Sequence, residues 1–116
     1  MPISDDARCD CWDVVVVPFS YTDRLAEKRR PALVVSNEKL KPYGLLWIAM
    51  ITSATNKGWP CDVLIADLAN AGLPAPSVVR TAKLACIDSG RVLRTAGKLD
   101  EVTVNAVREN LTAFLF

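Results

Sequence analysis

Lys28-Arg29-Arg30-Pro31-Ala32-Leu33-Val34-Val35-Ser36-Asn37 (KRRPALVVSN) presses three cations against a proline, and an almost unbroken apolar run follows at once. A run this short and this rich in β-branched residues suits a buried strand better than a helix. The strand is expected over Pro31 to Ser36, with the proline at its first position, where a missing N–H is tolerated. Outward from it, Trp12 to Phe19 (WDVVVVPF), Leu45 to Ser53 (LLWIAMITS), Cys61 to Ala66, Ser77 to Ile87 and Val92 to Leu99 read as further strands. Ser20 to Lys28, Lys39 to Gly44 and Ala54 to Pro60 read as loops or turns. Asn70 to Pro76 carries Gly72, Pro74 and Pro76 and is also expected to be loop.

The period changes at the C-terminus. Val104, Val107, Leu111 and Phe114 recur at helical spacing, with Asp100 placed to cap the helix and Glu101 at the positive end of its dipole. Short strands followed by one helix predict a mainly β (α+β) domain, a small β-barrel with a C-terminal α-helix.

A chain of 116 residues, 51% hydrophobic and 23% charged, fits one globular domain, 1–116, with residues 1–11 expected as a loosely ordered N-terminal segment. No apolar run approaches the roughly 20 residues of a membrane span. The acidic start MPISDDARCD lacks the apolar core of a signal peptide, so a cytoplasmic protein is expected.

Net charge is only +1, but its distribution is uneven. The chain up to Asp23 has Arg8 as its single cation, whereas Arg24, Lys28, Arg29, Arg30, Lys39 and Lys41 follow closely, and Arg80, Lys83, Arg91, Arg94 and Lys98 make a second basic stretch. Brought to one face, these would suit a phosphate-bearing ligand. With no histidine in the sequence, every mechanism that needs an imidazole base is excluded. Cys9-x-Cys11 is too short for the usual zinc spacing, so no metal site is expected. Cys61 and Cys86 sit in apolar runs and read as buried hydrophobes.

The order of blocks is specific: VVVVPF, a polar loop, KRRPALVVSN, ITSATNKGWPCDV, GLPAPSVVR with KLACID, then a terminal helix. From about Trp12 to the C-terminus it resembles the MazF/PemK toxins of bacterial type II toxin–antitoxin systems, in their PemK-like growth-inhibitor branch. The resemblance implies an SH3-like barrel of the CcdB/PemK kind and a homodimer. It also implies sequence-specific cleavage of single-stranded RNA without metal or cofactor, and a cognate antitoxin whose disordered tail blocks the RNA groove.

RNA supplies its own nucleophile, the 2′-hydroxyl, so such a protein must only orient the phosphodiester, stabilise charge and move protons. The resemblance carries the catalytic role to Arg30, whose guanidinium can grip phosphate oxygens bidentately. It carries the contact with the scissile phosphate to Thr52, where a preorganised donor contributes about 3 kcal/mol. Ser53 is a helper, and Arg80 corresponds to the arginine of the family's Val-Val-Arg block. Lys28, Arg29, Lys57 and Lys83 are expected to meet phosphates, and Trp59 of the Lys57-Gly58-Trp59-Pro60 loop to stack a base or cover the barrel. Phe19 and Tyr21 could supply another stacking edge or core. Ala82 stands where some family members have an active-site acid, which leaves the proton acceptor open among Glu27, Lys83 and Arg30 working with water. Two other readings remain: a barrel dimer that binds RNA or an antitoxin tail without cutting, and a poison of a protein target such as gyrase.

Overall fold

The computed structural model describes residues 9–20, 27–56 and 58–116. Six antiparallel strands form one sheet in the order β4-β5-β3-β2-β1-β6. They are β1 (Asp13–Ser20), β2 (Glu27–Val34), β3 (Leu45–Ser53), β4 (Asp62–Leu64), β5 (Ser77–Asp88) and β6 (Arg94–Lys98). Helix α1 (Leu68–Ala71) precedes β5, and α2 (Glu101–Leu115) closes the chain. The outer strands β4 and β6 do not pair with each other, so the barrel-like sheet stays open.

Both faces of the central strands are buried, which is why they read as continuous apolar runs rather than alternating ones. Val14, Leu33, Ala49, Ile51 and Val79 point into a core that Val104 and Val107 of α2 close. The alternate residues Val15, Val17, Ala32, Val34, Ile48 and Met50 form a second core with Cys9 and Leu46. Both sheet edges are tied down, as edges must be to avoid stray pairing. At β6 the Asn70 side-chain amide donates to the Lys98 carbonyl. At β4 the Asn110 amide donates to the Cys61 carbonyl, and the Ala66 N–H to the Thr103 hydroxyl. Asp100 caps α2 by accepting from the Thr103 N–H at 3.0 Å and also accepts the Asp67 N–H at 3.1 Å.

The expected third strand is found at its expected bounds, and the helix lies where the cap and stripe place it. Other expectations are corrected. Trp12 precedes β1 with a left-handed φ of +75° instead of opening the strand. The fourth strand contracts to three residues. Asn70 to Pro76 is not all loop: Asp67 caps the single turn of α1, and Gly72, at φ +73°, ends it. Cys61 is buried, but Cys86 is exposed, because it faces outward beside its half-exposed partner Trp47. Phe114 is 56% exposed, since the last turn of α2 runs past the sheet. Of the N-terminal stretch, residues 1–8 lie outside the described residues. Cys9 is buried, and Asp10 pairs with Lys41 at 2.8 Å.

The main correction concerns Pro31. It lies inside β2, opposite Val16, and not at the strand's start. The Val34 carbonyl accepts from Trp12 on the β1 side, while the Val35 N–H donates to Trp47 of β3. Alternation then turns Pro31 towards β3. There its missing N–H costs nothing, because β2 and β3 pair only from Ala32–Met50 to Val34–Ile48. On the other side of β3, pairing with β5 breaks register between Ala49 and Met50. β2 therefore parts from β3 at Met50, the step at which β5 shifts register before pairing on to Ser53 and Ser77, and the sheet opens between β2 and β3.

Candidate functional site

The opening holds a cavity of about 210 Å³ lined by Phe19, Arg30, Met50, Ile51, Thr52, Arg80 and Lys83. Alternation puts Arg30 on the same face as Ala32 and Val34, and Thr52 on the same face as Met50. One sheet face thus runs from an apolar floor to a rim with Arg30, Arg80 and Lys83, and the described lining residues include no carboxylate. The β5 irregularity aims Lys83. Arg80 and Leu84 oppose the adjacent residues Met50 and Ala49, so residues 81–83 bulge out of the ladder. Lys83 then lies 5.9 Å from the Phe19 ring centroid, and Ala82 is exposed.

Thr52 ends the apolar part of β3 and is half-buried. Its hydroxyl oxygen accepts from the Asn56 side-chain amide at 2.6 Å, which leaves the hydroxyl proton to donate. Ser53 is engaged elsewhere: its hydroxyl pairs with that of Thr55 at 2.8 Å and accepts the Thr55 N–H. Ser53 lines a neighbouring cavity of about 430 Å³ together with Lys28, Arg29, Leu73 and Pro74. Arg30 and Thr52 line both cavities.

Arg80 is held by Asp62. Its Nε donates to Oδ1 at 3.1 Å and its second terminal nitrogen to Oδ2 at 2.9 Å. The guanidinium carbon also lies over the Trp59 ring, 4.2 Å from its centroid. The hydrogen bond from Arg80 holds the Asp62 carboxyl below the usual carboxylate range, and the same bond raises Arg80 further. Among the described residues no group of three or more His, Cys, Asp or Glu side chains could hold a metal ion, and no helix is long and apolar enough to cross a membrane.

The profile of PemK-like, MazF-like toxins of type II toxin–antitoxin systems matches residues 10–115. The chain belongs to this family. Similar solved structures agree. The Mycobacterium tuberculosis toxin MazF-mt6 shares 25% identity over 87% of this chain and 93% of its own, with a TM-score of 0.69. A Deinococcus radiodurans MazE–MazF complex shares 26% identity over 92% and 94%, with a TM-score of 0.71. A mycobacterial endoribonuclease in complex with its cognate antitoxin, at 16% identity over 92% and 94%, has a TM-score of 0.71 and supports the fold alone. Among curated proteins none matches the sequence.

In this PemK/MazF-family toxin the fold gathers Arg30, Thr52, Arg80 and Lys83, which lie far apart in sequence, around one cavity. It places Lys28, Arg29 and Ser53 on the adjoining one and leaves Trp59 half-exposed over Arg80. Lys57, Tyr21 and the side chain of Glu27 lie outside the described residues. Asn56 and Asp62 escaped the sequence reading. Asn56 is signalled only by its place four residues after Thr52, and Asp62 only by opening a strand just after Trp59-Pro60.

Proposed function

We propose that this family member is a metal-independent, sequence-specific endoribonuclease that cleaves single-stranded mRNA in the cytoplasm. In this reading it acts as a homodimer and is restrained by a cognate antitoxin whose disordered tail fills the RNA groove. The observation that carries the reading is the joint presence of Arg30 and Thr52 in one cavity, with Arg80 and Lys83 beside them in its lining. A scissile phosphate there meets a guanidinium and a hydroxyl whose proton is available to donate.

The substrate's 2′-oxygen attacks the adjacent phosphorus as it loses its proton, and the bond to the 5′-oxygen breaks. A 2′,3′-cyclic phosphate and a 5′-hydroxyl result. Arg30 stabilises the additional charge on the equatorial oxygens, and Thr52 donates to one of them. Glu27, Lys83 and water held by Arg30 are the candidates for taking the 2′-proton, and the departing 5′-oxygen acquires a proton from water or from that same group. Lys28, Arg29 and Lys57 hold flanking phosphates.

The test is a denaturing gel of a long single-stranded RNA incubated in EDTA with the wild-type protein and with Arg30→Ala. Discrete fragments with the wild type alone are expected. Intact RNA in both lanes, with folded protein, would overturn the reading. It would favour a second one, a non-cutting RNA-binding dimer, for which the exposed Ala82 at an acid position already speaks.

A further inference from the structure

We propose that Trp59, Arg80 and Asp62 form a nucleobase-stacking subsite next to the Arg30–Thr52 cavity, with Asp62 as its positioning residue. The proposal rests on the RNA reading above and goes beyond it in assigning what this corner recognises.

Asp62 closes a rigid turn. Its carboxylate accepts the Trp59 N–H at 3.0 Å, its own N–H donates to the Trp59 carbonyl at 3.0 Å, and Pro60 restricts the backbone between them. The same carboxylate accepts from Nε and from one terminal nitrogen of Arg80, a bidentate pairing that holds the guanidinium over the indole. One face of Trp59 is thereby occupied, yet 44% of the residue stays exposed. Arg80 lines the cavity together with Arg30, so a base laid on the outer indole face belongs to a nucleotide close to the phosphate at Arg30.

The ion pair fixes the chemistry of the subsite. Asp62 cancels the charge of Arg80, and the platform offers a π-face with no net charge. It recognises bases, not phosphates. Because every base has a π-face, such a platform sets affinity and register and tolerates sequence. Base identity must be read elsewhere on the protein.

The probe is a single-stranded RNA of mixed sequence, 2′-O-methylated throughout so that it cannot be cut, titrated by fluorescence anisotropy at several salt concentrations. Trp59→Leu is expected to weaken binding roughly 5- to 150-fold, the effect of losing one base stack, with the salt dependence unchanged. Lys28→Ala is expected to do the opposite, flattening the slope of log K against log salt by about 0.7. Asp62→Asn should steepen that slope by about 0.7, since one negative charge beside Arg80 is removed, and should abolish the quenching of Trp59 by RNA. A purely structural role for Asp62 would leave the slope alone.

Binding by Trp59→Leu within twofold of the wild type, or a flattened slope in that variant, overturns the subsite. An unchanged slope for Asp62→Asn overturns its positioning role. Should Asp62→Asn fail to fold, Trp59→Leu and Trp59→Phe, which keeps a smaller π-face and an intermediate affinity, decide the question. Absence of any binding by the wild type overturns the RNA reading and the subsite together, whereas wild-type binding matched by Trp59→Leu overturns the subsite alone.

Discussion

The side-chain amide of Asn56 donates to the hydroxyl of Thr52 at 2.6 Å. This bond occupies one lone pair of the Thr52 hydroxyl and leaves its proton available to donate. Thr52→Ala is expected to lower the RNA cleavage rate by about 100-fold, the loss of one preorganised donor. Asn56→Ala is expected to cost about 5- to 10-fold, the share of a neutral hydrogen bond. Because Asn56 acts through Thr52, the double variant should be no slower than Thr52→Ala within about twofold. Single-turnover rates on a defined oligonucleotide check this, and additive losses would show that Asn56 works by another route.

The Asp62–Arg80 pair makes stability depend on pH. The folded Asp62 carboxyl lies below its unfolded value of about 3.9, chiefly through the Arg80 hydrogen bond. Its contribution is therefore fully present above that unfolded value and is lost as pH falls through the folded one. The wild-type melting temperature should drop between about pH 5 and pH 2 more steeply than that of Asp62→Asn. At neutral pH the variant should be the less stable of the two. Thermal melts across this range test it, and parallel curves would mean that the pair carries no linked stability.

Arg80 shows what was legible in the sequence. Strands announced themselves by apolar runs, and the terminal helix by its cap and stripe, because those signals are local. Whether an arginine is spent on a neighbour is not local. Asp62 lies 18 residues before Arg80 and meets it only through the β4–β5 pairing. The start of β2 is hidden from the sequence for a similar reason. Nothing in KRRPALVV tells which side of the strand lacks a partner, and that alone decides where a proline can sit.

Gly97 is a second non-local feature. An ideal Cβ there would lie 2.3 Å from the Asn70 carbonyl oxygen and 2.6 Å from the Ala71 carbonyl carbon, because α1 packs directly on β6. Gly97→Ala should therefore destabilise the fold by about 1–3 kcal/mol, as overpacking does. Gly58→Ala, whose Cβ would meet nothing within 4 Å, should change stability by less than about 0.5 kcal/mol. Urea denaturation of the two variants distinguishes them, and equal midpoints would contradict the close approach of α1.

Arg30 joins the local and the non-local. Its Cα is fixed by the β1 ladder opposite Val17, and Pro31 restricts its backbone to the extended region. The strand geometry thus aims the side chain before any substrate arrives. If the planar fork matters, lysine cannot replace it, because an ammonium presents no bidentate pair to phosphate oxygens. Arg30→Lys and Arg30→Ala should then both lose at least ~100-fold in kcat, while Arg30→Lys keeps KM within about threefold of the wild type. Initial rates over a range of RNA concentrations separate the two parameters. If Arg30→Lys kept the wild-type kcat, charge alone would suffice, and the case for a phosphate-gripping guanidinium at this strand would fall.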